Sequence, residues 1–72
     1  MKYIMILWVC SFLNGPDCSQ PMTSKKIYDS WYECSQAAYV KSRQVITKLG
    51  YVYVNEYEVA TKFTCKRQEP PV

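Results

Sequence analysis

Residues 30–50, SWYECSQAAYVKSRQVITKLG, decide the fold. Ser30-Trp31-Tyr32-Glu33 fits a capping box, in which the serine hydroxyl accepts from the Glu33 N–H and the Glu33 carboxylate reaches back to the Ser30 N–H. Gly50 suits the position just past a helix end, where a left-handed conformation carries no Cβ penalty. With about 100° of turn per residue, Trp31, Cys34, Ala38, Ser42, Val45 and Leu49 fall in one arc. Glu33, Gln36, Arg43, Gln44 and Thr47 take the opposite side. Asp29 and Glu33 near the start, with Lys41, Arg43 and Lys48 towards the end, run in the favourable sense for the helix dipole. These signals predict an amphipathic helix near 31–49 with Cys34 on its inward face.

The segments on either side supply partners for that face. The first, MKYIMILWVCSFL, fits a strand near 3–12 buried on both sides, because Ile4, Ile6, Trp8, Val9 and Phe12 are β-branched or aromatic. A lysine followed by an apolar run also fits a short secretory signal, although no small-residue cleavage site follows and Pro16 is a poor neighbour for one. It is too short to cross a bilayer, which takes roughly 20 apolar residues. Next comes loop: Asn14-Gly15 is a turn dipeptide, and Pro16 and Pro21 exclude helix. Past Gly50, Tyr51-Val52-Tyr53-Val54 is short and β-prone. From Tyr57 to Lys66 the chain alternates, with Tyr57, Val59, Thr61, Phe63 and Cys65 on one face and Glu58, Ala60, Lys62, Thr64 and Lys66 on the other. That period of two predicts a strand near 58–67 with one wet face. Residues 68–72, with Pro70-Pro71, read as a frayed tail. The expectation is a single small α+β domain over residues 1–72: strand, central amphipathic helix, strand.

A chain of 72 residues is close to the lower limit for an independent core. Such a core supplies no more than about 3–5 kcal/mol, so a staple or a partner is expected. The four cysteines can provide the staple. No C-x-x-C pair is present, which disfavours a zinc ribbon or a thioredoxin-type site. Buried free thiols in a reducing compartment are a second reading, and an even count in a small chain favours disulfides. Cys34 shares the inner helix face with Ala38, and Cys65 shares a strand face with Phe63, so Cys34–Cys65 with Cys10–Cys18 is the preferred pairing. Cys10–Cys65 with Cys18–Cys34 is its competitor, and the third connectivity ranks last.

The charge pattern narrows function mainly by exclusion. Nine Lys and Arg against six Asp and Glu give a net charge of +3, short of the dense basic footprint of a dedicated nucleic-acid binder. Histidine is absent, which removes the side chain most used as a general base near neutral pH. No nucleophile has a visible base, and no glycine-rich phosphate loop occurs. An enzyme is not expected, and no cofactor or metal is implied. Lys62, Lys66 and Arg67, on or just beyond the exposed side of the last strand with Tyr51, Tyr53 and Tyr57 upstream, are the candidates for weak nucleic-acid contact. The preferred reading of these lysines is protection of an edge strand against aggregation. One helix on two strands leaves free sheet edges and a poorly covered face, which points to a protein partner or self-association.

The layout CSFLNGPDC, then QPM, YDSWYEC and VNEYEVATKFTC, resembles a group of small four-cysteine proteins of marine tailed phages. The matching residues are Cys10, Ser11, Cys18, Pro21, Tyr28, Ser30, Tyr32, Glu33, Cys34, Val54, Asn55, Lys62, Phe63 and Cys65, spread over nearly the whole chain. Gln20-Pro21-Met22 departs from the Pro-Pro pair usual in that group, which affects the loop. The resemblance implies a phage origin and a location in the virion or the infected host cell rather than secretion. It carries no assigned activity and no site residues. The expected function is a non-enzymatic phage accessory or virion-associated protein-binding module. The alternatives are weak nucleic-acid binding and a small exported protein with a cleaved signal.

Overall fold

The apolar N-terminal run forms β1 (Lys2–Ser11), and it is the strand on which the other three pair. The segment that also fits a secretory signal is therefore the middle of the sheet. The structure is a computed structural model that describes residues 2–68, so residues 69–72 of the expected tail lie outside the described residues. After β1 come β2 (Asp17–Cys18), β3 (Met22–Thr23), α1 (Trp31–Leu49), α2 (Tyr51–Tyr57) and β4 (Val59–Gln68). Gln68, expected in the tail, is the last residue of β4.

Antiparallel to β1, β4 pairs along its whole length, from Lys2↔Gln68 to Ser11↔Val59. The other edge of β1 is taken by the loop after it. Cys10↔Cys18 and Ser11↔Asp17 form a short hairpin, and Ile6↔Thr23 and Leu7↔Met22 continue the pairing. Prolines prevent this loop from lying as one regular strand, and two serines bridge the gaps. Ser19 N–H donates to the Val9 carbonyl (2.8 Å) while its hydroxyl accepts from the Val9 N–H (3.3 Å). Ser24 repeats the arrangement on Met5, at 2.8 and 3.0 Å. In each case the hydroxyl stands in for a missing strand carbonyl. Tyr28 closes the edge by exchanging both backbone hydrogen bonds with Tyr3 (2.8 and 2.9 Å).

The helix begins and ends where its sequence predicts. Ser30 has extended backbone, and its hydroxyl accepts from the Glu33 N–H at 3.0 Å, one half of the capping box. Gly50 closes the helix at φ 92°, donating its N–H to the Ile46 carbonyl. Cys34, Ala38, Met5 and Cys65 form the buried centre, with Tyr3, Tyr28 and Phe63 packed around it. Both preferred disulfides are present, Cys34–Cys65 pinning α1 to β4 and Cys10–Cys18 closing the hairpin. Trp31, at the end of the predicted inner arc, remains 54% exposed and meets Tyr3 of β1 edge-on, with ring centroids 5.9 Å apart. Ser42 lies on the inner side with its hydroxyl buried, and among the described residues that hydroxyl has no hydrogen-bond partner. Near the start of α1, Asp29 accepts from Lys2, whose ammonium holds the Asp29 carboxyl below its ordinary value.

Other local expectations fail. β1 is not buried on both sides, because Ile4, Ile6 and Trp8 on one of its faces are only partly buried. Tyr51–Val54 opens a second short helix rather than a β-prone segment. Two features outweigh the β propensity of its valines and tyrosines. Tyr53 and Tyr57 pack one turn apart, with ring centroids 4.8 Å apart and ring planes tilted by 42°. The open carbonyls at the helix end are taken by β1 and the residue after it: Ser11 Oγ donates to the Tyr57 carbonyl (2.6 Å) and Phe12 N–H to that of Glu58 (3.1 Å). Glu58, at φ 49°, is the left-handed residue that turns the chain into β4.

Candidate functional site

Side-chain parity along β1 separates two unlike faces. Tyr3, Met5, Leu7 and Val9 face α1, together with Thr61, Phe63 and Cys65, which stand opposite them on β4. Ile4, Ile6 and Trp8 point to the other side, where they are only partly buried, while Cys10, of the same parity, is buried and bonded to Cys18 at the end of the strand. Their partners there are Lys66, Thr64 and Lys62, all exposed. The Lys62 ammonium sits 4.6 Å from the centre of the Trp8 ring, a cation–π contact. One side of the sheet is thus an apolar stripe bordered by lysines, with no helix over it.

Backbone hydrogen bonding shows which edge of this sheet is open. In an antiparallel ladder a residue directs its N–H and C=O to the same side, and successive residues alternate. Tyr3, Met5 and Val9 spend theirs on Tyr28, Ser24 and Ser19. Ile4, Ile6, Trp8 and Cys10 therefore bond to Lys66, Thr64, Lys62 and Ala60 across the β1–β4 register. It follows that Thr61, Phe63, Cys65 and Arg67 turn their N–H and C=O outward. Among the described residues nothing pairs with that edge, which runs the ten residues of β4.

The residues singled out in the sequence divide accordingly. Lys62 and Lys66 share the bare face, with Thr64 between them. Arg67 is exposed but opposes Tyr3, so it belongs to the parity of the helix-covered face. Tyr51, Tyr53 and Tyr57 lie on α2 and do not join the lysines on the sheet. Trp8 is the aromatic that does, and sequence reasoning missed it. Only the register that sets Trp8 against Lys62 brings them together, and no local pattern encodes a register between strands so far apart in the chain.

Of several shallow clefts among the described residues, two flank the sheet. One, of about 300 Å³, lies between the β1–β2 hairpin and α2, where Asp17 is the only carboxylate. The other, of about 360 Å³, lies over Met5 and Leu7 and is rimmed by Lys25, Lys26 and Lys41 with no carboxylate. Neither pairs an acid with a base, whereas a third cleft, of about 460 Å³ at the start of α1, is lined by Lys26, Asp29 and Glu33, all three exposed. All four cysteines are held in disulfides, so none is a thiolate for catalysis or zinc binding. Among the described residues no cluster of three or more His, Cys, Asp or Glu could hold a metal ion. No described helix is long and apolar enough to cross a membrane. Comparison with protein-family models, with curated proteins and with solved structures finds no match to this chain.

Proposed function

We propose that the protein is a non-enzymatic protein-binding module, of the accessory or virion-associated kind that its resemblance to small phage proteins implies. The observation that carries this reading is the unpaired outer edge of β4 beside a bare sheet face. A long open edge offers main-chain donors and acceptors in register, the means by which many domains capture an extended segment of a partner. Aromatic side chains packed against β4 on its two faces, Tyr39 beside Phe63 and Trp8 beside Lys62, suit such contacts. The two disulfides support an oxidising place of work, a class that includes virion surfaces.

Single-stranded nucleic acid is the second reading, favoured by Trp8 lying beside Lys62 and Lys66 on one open face. The two readings separate in a titration with oligothymidylate at low salt, where phosphate contacts are strongest. A protein-binding module shows no detectable affinity there. Binding that weakens steeply with salt, and that is lost in Lys62→Ala/Lys66→Ala, would replace the protein-binding reading with the nucleic-acid one.

A further inference from the structure

We propose that β4 accepts an acidic, extended segment of another protein as a fifth strand of the sheet, with carboxylates four residues apart opposite Lys62 and Lys66. The inference rests on the protein-binding reading and adds the chemistry of the partner. Three observations on β4 lead to it.

The first is geometric. The outward N–H and C=O groups of Thr61, Phe63, Cys65 and Arg67 are spaced for one more strand, and the opposite edge of β1 is already occupied. The second is charge. Lys62 and Lys66 are exposed on the same side of β4, and β4 contains no Asp or Glu. Among the described residues neither lysine has an ion-pair partner, the one pair being Lys2 with Asp29. A second copy added edge to edge would set basic strand against basic strand, so the lysines that deter self-pairing also select an acidic guest. The third is the other face. Residues of the guest that alternate with its carboxylates fall beside Phe63, where Tyr39 stands edge-on at 5.0 Å with 65% of its surface exposed. Apolar side chains at those positions would cover both rings. The guest is therefore a strand of the pattern acid–apolar–any–apolar–acid.

The test is a nuclear magnetic resonance titration of the disulfide-bonded protein with two blocked peptides. One carries Glu-Val-Thr-Val-Glu at its centre, and the other has lysine in place of each glutamate. The expected result is that the acidic peptide shifts the Thr61, Phe63 and Cys65 amides and slows their exchange with solvent. It should bind about tenfold more tightly than its lysine twin, as two exposed opposite-charge pairs allow. The variant Lys62→Glu/Lys66→Glu, altered only at exposed positions, should reverse that preference. Equal binding of both peptides at the β4 amides would overturn the charge selection while leaving strand capture standing. Shifts confined to α1 or to Ile4 and Trp8 would overturn strand addition while leaving a protein-binding surface elsewhere. No binding of either peptide at millimolar concentration overturns the inference. That result together with tight oligothymidylate binding would overturn the protein-binding reading as well.

Discussion

Replacing Cys34 and Cys65 together by alanine is expected to leave most of the chain unfolded at 25 °C. The disulfide spans 31 residues of sequence, and closing a loop of that size removes about 3–4 kcal/mol of unfolded-state entropy in the chain-entropy description. A core of this size supplies only about 3–5 kcal/mol in all. Cys34 and Cys65 are also part of that core, both buried beside Met5 and Ala38, so alanine removes packing as well as the crosslink. The expected observation is loss of the near-ultraviolet circular dichroism of the aromatic side chains and of a cooperative urea transition. Cys10–Cys18 spans 8 residues at the sheet's end, so its loss is milder, about 2.5 kcal/mol on the same basis. A Cys34→Ala/Cys65→Ala protein that melts cooperatively near the parent's urea midpoint would show that the clamp is not what holds α1 to the sheet.

Leu7→Ala should be nearly as damaging, and its neighbour on β1 provides the control. Leu7 is 1% exposed on the helix-covered face, whereas Ile6 is only partly buried on the bare face. Truncating a fully buried leucine removes transfer free energy and leaves a cavity, together about 2–5 kcal/mol. Ile6→Ala deletes a comparable volume from a surface that water already reaches, so its cost is about 1 kcal/mol. Urea titrations of the two variants should therefore separate clearly, with the Leu7→Ala midpoint far below that of Ile6→Ala. Equal losses would mean that the bare face is covered in solution. That outcome would count against the assignment of the two faces as much as against the magnitude.

Much of this architecture is legible in the chain because the decisive signals are local. Ser30 and Gly50 mark the helix ends through chemistry that depends on neighbours within one turn. The face parity of Cys34 and Cys65 follows from two short periodicities, and it was enough to rank the disulfide pairings. Residues 51–57 defeat the same approach, since their helix is held by Ser11 and Phe12, which lie far away in sequence and cap its last carbonyls. The edge formed by the loop after β1 was also hidden. Serine hydroxyls replace strand carbonyls there, and no alternating pattern records that substitution. The candidate site was legible only in part: Lys62 and Lys66 were visible as exposed strand lysines, but Trp8 joins them through register alone. Arg67, grouped with them by sequence proximity, is separated by the same alternation.

The central claim is that β4 is an open edge, and amide hydrogen exchange along β4 in the free protein tests it most directly. Lys62 and Thr64 direct their N–H groups to β1, so their amides should exchange slowly. Thr61 and Phe63 direct theirs outward and should exchange rapidly, giving an alternation of fast and slow along the strand. Uniform protection from Thr61 to Thr64 would contradict the account, because it would mean that the edge offered to a partner is already paired.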